Sequence, residues 1–303
     1  MKLVEAPTFF SGERPAGVPA DSARPDYDAL VAKTAGINGG RYPLDIIAPL
    51  LARENTRLGA SPLTLDAIAS INQDTVFVVA GQQAGLFGGP LYTLYKAMHA
   101  IRLAERLKQS TGKNVLPLFW IASDDHDFEE VASYALRSED GEERTVKYSQ
   151  ESWRHGTPVG EIVLNSTIMN MVAAFRRSLP PGDDGARYGA FVGKAWTPGV
   201  KWADAFAQQL LGLFDRYGLI VFDPRWAGVK ALFRDIYLTE ISDPLASVHL
   251  VNRAANFLER SLPKYRALRK PEGSTNIFLE IDGARYPLRY KEGVFFSVNS
   301  GCS

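Results

Sequence analysis

The segment that most constrains the fold is Thr75-Val76-Phe77-Val78-Val79-Ala80, an apolar, β-branched run with no polar alternation. Such a run offers no face to water and reads as a strand covered on both sides, as in a parallel sheet. Parallel strands cannot be joined by a hairpin, so a crossover must follow. The chain supplies one. A glycine-rich loop runs from Gly81 to Gly89, and Pro90 sits where helices accept proline, at the first position of a helix expected to reach about Ser110. The apolar stripe of that helix is read as Leu91, Leu94, Tyr95, Met98, Ile101 and Leu107, with Thr111-Gly112-Lys113 ending it. A second apolar run, Val115 to Ile121, completes a right-handed βαβ unit.

Further along, a helix over 201–216 leads into Gly218-Leu219-Ile220-Val221-Phe222-Asp223, a third strand of the same kind. Three apolar strands alternating with helices give an α/β chain with a Rossmann-like open parallel sheet. Helical patterns at Leu44 to Leu58 and Leu63 to Ile71 precede the first strand. Residues 1–40, rich in Pro, Gly, Asp and Ser from residue 7 onward, read as an irregular amino-terminal arm, and 41–303 as the core. Residues 128–200 read as an inserted connecting segment placed to act as a lid. It has hairpin-like pieces at Tyr134 to Arg137 and Arg144 to Tyr148 around Glu139-Asp140-Gly141-Glu142, and one helix near 167–178. Helices over roughly 226–240 and 244–262 follow, then a β-ribbon at about 276–298 that turns at Asp282-Gly283.

Lys plus Arg equals Asp plus Glu, 34 against 34, which removes the electrostatic case for a nucleic-acid or anionic-membrane partner. A single cysteine, Cys302, cannot form an internal disulfide and suits a reducing cytosol. The amino terminus shows no basic segment followed by an apolar run, so no signal peptide is read. No apolar stretch approaches the roughly 18–20 residues of a membrane span. The expectation is a soluble cytoplasmic protein.

Two segments can carry chemistry. The first is the loop from Gly81, Gln82 and Gln83 through Gly85, Gly88 and Gly89 to Tyr92 and Lys96. It leaves the carboxyl end of a buried strand and opens a helix, where open α/β sheets bind ligands. Backbone N–H groups at a helix start favour a phosphate or carboxylate. Tyr92 and Lys96 share a helix face, and side chains lean toward the helix start, so Lys96 can reach back to the loop mouth. The spacing is neither GxGxxG nor GxxxxGK[ST], so neither nucleotide fingerprint applies. A tight strand–helix turn with a solvated lysine is the plainer reading.

The second segment is Ser123-Asp124-Asp125-His126-Asp127-Phe128-Glu129-Glu130, which leaves the next strand at its carboxyl end and faces the glycine loop. Clustered acids beside one imidazole suit general acid–base work, or a hard divalent cation. No His/Cys spacing supports zinc, and no metal is assigned. A solvated acidic turn capping a helix is the alternative. Asp223-Pro224-Arg225 can line the same crevice or simply turn the chain. His155, Trp153 and His249 read as structural or exposed.

Together, GQQAGLFGGPLYTLYKA at 81–97 and PLFWIASDDHDFEEV at 117–131 resemble the signature pair of the bacillithiol biosynthesis cysteine-adding family, often called BshC-type. Ala80 stands where that family has threonine, Asp124 matches a position that varies between Glu and Asp, and Tyr217 to Asp223 follows the family's rhythm. The similarity runs from about residue 40 to about 290.

The resemblance implies a Rossmann-like core related to nucleotidyltransferases and class I synthetases. It implies amide formation between the carboxylate of cysteine and the amino group of glucosaminyl malate, giving bacillithiol. It also implies a homodimer formed through a carboxyl-terminal coiled coil. Family members are substantially longer, so the coiled coil and the closing part of the core are expected to be absent from these residues. The energy source is left open, with ATP or another nucleotide and magnesium considered. Roles expected on this basis are catalytic for Asp125, His126 and Asp127. Substrate or nucleotide binding falls to Gly81, Gln82, Gln83, Gly85, Gly88, Gly89, Tyr92, Lys96, Ser123 and Asp124. Two other readings remain: a metal-dependent hydrolase or phosphotransferase using the acidic cluster, and an inactive, shortened relative that binds ligand.

Overall fold

The computed structural model describes residues 27–37, 43–137, 143–149, 153–261 and 266–297. Three helices come first: α1 (Tyr27–Gly36), α2 (Leu44–Arg57) and α3 (Pro62–Ala69). Then follow β1 (Val76–Gln82), α4 (Tyr92–Thr111), β2 (Val115–Ile121), the single-turn α5 (Phe128–Val131), and strands β3 (Ser133–Arg137) and β4 (Glu143–Lys147). Helices α6 (Thr167–Ser178), α7 (Asp183–Ala195) and α8 (Trp202–Leu213) lead to β5 (Ile220–Phe222). The chain continues through α9 (Val229–Leu232), α10 (Arg234–Ser242) and α11 (Ala246–Ser261) into β6 (Ser274–Ile281), β7 (Ala284–Lys291) and β8 (Val294–Ser297).

The central sheet has the order β1-β2-β5, and both pairings are parallel, in register from Val76 opposite Val115 to Gln82 opposite Ile121. This is the Rossmann-like arrangement read from the apolar runs. Burial is uneven, however. β2 is almost wholly buried, whereas β1 lies at the sheet edge among the described residues and leaves Val79 57% exposed. The edge at β5 is closed differently: the buried side chain of Asn55 donates to the Val221 carbonyl at 3.0 Å and accepts from the Val221 N–H at 3.1 Å. A side-chain amide there takes the place of a further strand, satisfying backbone groups that burial would otherwise strand.

Three expectations need correction. Residues 1–26 and 38–42 lie outside the described residues, but Tyr27–Gly36, within the arm expected to be irregular, is helix α1. It packs on α4, where the Tyr27 hydroxyl is 2.9 Å from Ser110 Oγ and the Arg106 guanidinium sits over the Tyr27 ring. Second, the buried face of α4 is Thr93, Ala97, Ala100, Ile101, Ala104 and Leu107, while Leu91, Tyr95 and Met98 are exposed. Alanine lets the helix lie close to β1 and β2, so the bulky residues turn outward. Third, the segment expected as a lid shares the sheet's own core. Phe128, Tyr148, Leu164, Phe175 and Trp196 join the main cluster, and a second helix, α7, accompanies α6. The tip between β3 and β4, including Glu139 to Glu142, lies outside the described residues.

The β-ribbon forms as expected and gains a third strand: β6, β7 and β8 make an antiparallel sheet of their own against α10 and α11. Asp282 and Gly283 turn it with φ of 51° and 77°. Two successive positive values mark the type I′ geometry that matches strand twist.

The buried amide of Gln209 on α8 is a junction of this core. Its Nε2 donates to the Phe87 carbonyl at 2.8 Å and its Oε1 accepts from Trp196 Nε1 at 2.7 Å. Gln209→Leu would leave both partners buried and unpaired, at about 1–3 kcal/mol for each group. We expect a loss of about 2–4 kcal/mol in chemical denaturation; a loss below 1 kcal/mol would show that the pair is satisfied in some other way.

Candidate functional site

The glycine loop is held from beneath. Trp202 Nε1 donates to the Ala84 carbonyl at 2.5 Å, while Gln209 holds the Phe87 carbonyl. The Phe87 ring is fixed by Phe175, Trp196 and Tyr134, with centroids 4.9, 5.6 and 5.9 Å away. Phe87 itself has a φ of 53°, and only this packing makes that conformation tolerable for a bulky residue. Gly85 and Gly89 touch: a Cβ on Gly85 would lie 2.5 Å from Gly89 Cα. The loop's glycines therefore serve close packing. Gly88 and Gly89 spend their N–H groups on the carbonyls of Gly85 and Leu86 at 3.1 and 3.0 Å, so these two amides do not face a ligand.

What the loop presents instead is its two glutamines. Successive residues at a strand end point opposite ways. Gln82 turns toward α4, where its Nε2 donates to Tyr92 Oη at 3.1 Å and its Oε1 accepts from Lys96 Nζ at 2.8 Å. Lys96 also donates to the Gly81 carbonyl at 3.3 Å, so it does reach back to the loop mouth. An ammonium has three donors, and two of them are bonded here among the described residues. Gln83 turns toward the second motif, donating to Asp125 Oδ2 at 2.6 Å and Glu130 Oε2 at 2.9 Å.

The motif after β2 is less uniform than its run of acids suggests. Asp127 is exposed and caps α5, its Oδ1 accepting from the Glu130 N–H at 3.3 Å. Asp125 is half-buried. Burial opposes its ionisation, but hydrogen bonds from Gln83 and the backbone of Asp127 outweigh that and hold its carboxyl below the usual range. His126 keeps a buried Nδ1 that has no partner among the described residues, and its ring lies 6.1 Å from that of His155. Ser123 is fully buried and donates to Asp223 Oδ1. Asp124 is bound to Arg225 Nη1 at 2.8 Å. These acids diverge to separate partners, and no metal-ligand group of three or more His, Cys, Asp or Glu forms among the described residues.

Arg225 gathers the site. Besides Asp124 it bonds Glu161 Oε1 at 3.0 Å and both carboxylate oxygens of Glu280 at 3.0 Å. Arg285 on β7 adds a bond to the Asp124 carbonyl. Beside this node lies a cavity of about 220 Å³ at the carboxyl end of β5, walled by α2, α8 and the turn at Val159–Glu161. Asp223 lines it, and burial pushes its carboxyl up to about 6 despite the bonds from Ser123 and the Arg225 N–H.

The protein-family description matching this chain is "Bacillithiol biosynthesis BshC, N-terminal Rossmann-like domain", over residues 27–302. The chain belongs to the BshC family. A relative from Salinibacter ruber is 35% identical over 245 residues, covering 79% of this chain and 44% of its own. One from Koribacter versatilis is 35% identical over 270 residues, covering 89% and 49%, and one from Geobacillus thermodenitrificans 31% identical over 237, covering 77% and 43%. Each carries the name "Putative cysteine ligase BshC". The chain thus spans less than half the length of these relatives. No helix among its described residues is long and apolar enough to cross a membrane.

In this BshC-family chain the structure joins Gln82, Tyr92 and Lys96 into one cluster and Gln83 and Asp125 into another. It assigns Gly85, Gly88 and Gly89 to packing. Sequence reasoning did not single out Glu161, Glu280 or Arg285. Each is a lone charge in a different element, and only the tertiary fold shows that they meet. The pairing at Arg225 was hinted at solely by Asp223-Pro224-Arg225 ending a strand.

Asp223 can be read through stability. Its folded pKa of about 6 exceeds its ordinary value of 3.8, so the folded state holds the proton more tightly. That contribution is full below about pH 4, is lost as pH rises through about 6, and stays lost above. At about 1.4 kcal/mol per unit it amounts to about 3 kcal/mol. Asp223→Asn keeps an acceptor for Ser123 and removes the charge. We expect the variant to gain on the wild type by up to about 3 kcal/mol between pH 4 and pH 7 in urea denaturation. A difference independent of pH would contradict the raised pKa.

Proposed function

We propose that this chain forms the Rossmann-like part of a cytoplasmic ligase that joins the carboxylate of cysteine to the amino group of glucosaminyl malate. The observation that carries this reading is the link between the two family motifs: Gln83, leaving β1, bonds Asp125, leaving the adjacent parallel strand β2. Both motifs therefore stand at the carboxyl ends of neighbouring strands, where open parallel sheets bind ligands.

The reaction forms one C–N bond and expels water, and the carboxylate must be activated before the amine attacks. Lys96 supplies positive charge at the mouth of the loop for an anionic group, a nucleotide phosphate or the malate carboxylates. Gln82 and Gln83 offer amide donors and acceptors to sugar hydroxyls or to a developing oxyanion. Asp125, held ionised, orients an N–H donor. His126, with its free Nδ1, accepts the proton an amine must lose before it becomes a nucleophile. Asp127 shapes this turn by capping α5. ATP with magnesium is the energy source to test first.

The test is mass-spectrometric detection of product after mixing the chain with cysteine, glucosaminyl malate, ATP and magnesium. The expected product has the summed mass of the two substrates less one water. Lys96→Met and His126→Ala should each lower its rate at least a hundredfold while the circular dichroism spectrum stays unchanged. Wild-type turnover in either variant would remove that residue's role. No product, with the Salinibacter relative active in parallel, would leave this chain a ligand-binding part of the family fold.

A further inference from the structure

The cavity beside β5 contains a carboxylate that the rest of the site does not use. Its lining holds four acids, Glu54, Glu161, Asp204 and Asp223, against three bases, Arg57, Lys201 and Arg225. Three of the acids are already matched. Glu54 and Asp204 pair with Arg57 at 2.8 and 2.6 Å, and Glu161 pairs with Lys201 at 2.6 Å and Arg225 at 3.0 Å. Asp223 has no cationic partner among the described residues, although it is only 5% exposed.

Its two oxygens differ. Both hydrogen bonds, from Ser123 Oγ and from the Arg225 N–H, fall on Oδ1. Oδ2 accepts none among the described residues, and Asp223 is one of the residues that line the cavity. A carboxylate kept this dry without a counter-charge is costly, which is why its proton is held so tightly. A ligand that brings one positive charge and N–H donors to Oδ2 would remove that cost and neutralise the single excess negative charge of the lining.

We propose that this cavity is a subsite for a primary ammonium group, which docks on Asp223 Oδ2. The volume of about 220 Å³ suits an amino acid or the amine-bearing end of an amino sugar. The three bases line the same space and can exchange one of their carboxylates for a carboxylate or hydroxyl carried by the ligand. Why an amine should come here rests on the ligase reading, and two substrates of that reaction carry one: the amino acid and the amino sugar.

Isothermal titration of the 303-residue chain at pH 7.5 with L-cysteine and with D-glucosamine separates these sources. N-acetyl-L-cysteine and N-acetyl-D-glucosamine serve as blocked controls. One amine is expected to bind at least tenfold more tightly than its N-acetyl form, and Asp223→Asn is expected to weaken it at least tenfold. Whichever amine meets both conditions identifies the substrate held here. Equal binding of the acetylated form, no loss in Asp223→Asn, or no binding of either amine overturns the proposal. Should Asp223→Asn fail to fold, hydrogen exchange of the wild type decides: the amine should slow exchange of the amides over 220–226, and unchanged exchange counts against the subsite. Product formation with an unaltered KM for both amine substrates in Asp223→Asn would remove the subsite and leave the ligase reading intact. Amine binding at Asp223 without any product would do the reverse.

Discussion

A guanidinium cannot shed its charge, so a chain that buries one must bring carboxylates to it. The Arg225 side chain is 9% exposed and bonds three of them: Asp124 after β2, Glu161 in the turn before α6, and Glu280 on β6. These come from segments far apart in sequence. Burial works against the charge of Arg225, but the three carboxylates outweigh it and raise its pKa further. Removing Arg225 would leave the three carboxylates to repel in a partly dry setting. The antiparallel sheet β6-β7-β8 is fixed to the Rossmann-like core largely through this node and through Arg285, which holds the Asp124 carbonyl while its own N–H donates to Gly156. The position of the second motif thus depends on an ion cluster, not on the sheet alone.

The glycine loop is governed by a different force. Its carbonyls point into the core, where Trp202 and Gln209 bond them, and its one aromatic residue is locked among three rings. Anchored in this way, the loop cannot wrap around a ligand as a flexible phosphate cradle does. Its contribution is to fix the directions of Gln82 and Gln83, and strand geometry sends those two residues to opposite sides. One motif therefore serves two places: the ammonium of Lys96 on one side and the carboxylate of Asp125 on the other. A pre-set constellation of this sort suits a reaction in which separate substrates must be held together, because the entropy of ordering the groups has already been spent in folding.

The βαβ unit was legible because its signals are local: β-branched runs, a loop of glycines, a proline at a helix start. The face of α4 was misjudged because the size of a residue is not its burial. Small residues at Ala97, Ala100 and Ala104 allow the helix to approach the sheet, and Leu91, Tyr95 and Met98 are left outside. Helix α7 was missed because Asp183-Asp184-Gly185 looks like a loop, whereas acids in a first turn and glycines packed under Arg176 are compatible with a helix. The site divided similarly. Lys96 reaching back to the loop follows from helix geometry. The meeting of Arg225 with Glu280, 55 residues away, follows from nothing local.

Asp125 and Asp223 stand just beyond the carboxyl ends of β2 and β5, neighbours in the sheet, and their surroundings push them in opposite directions. Asp125 is surrounded by donors, from Gln83 and the backbone of its own turn, and stays ionised. Among the described residues Asp223 has its donors on one oxygen only, and it lies deeper, so its charge is penalised until about pH 6. Environments that drive two carboxyls apart give them different duties. A permanently ionised group can orient but cannot hold a proton near neutrality. A group near 6 is ionised at pH 7.5 yet still gains from a counter-charge, which makes its ionisation and the occupancy of its cavity a single linked equilibrium. An ammonium bound at Oδ2 would lower the pKa of Asp223 by the same free energy with which Asp223 holds the ammonium.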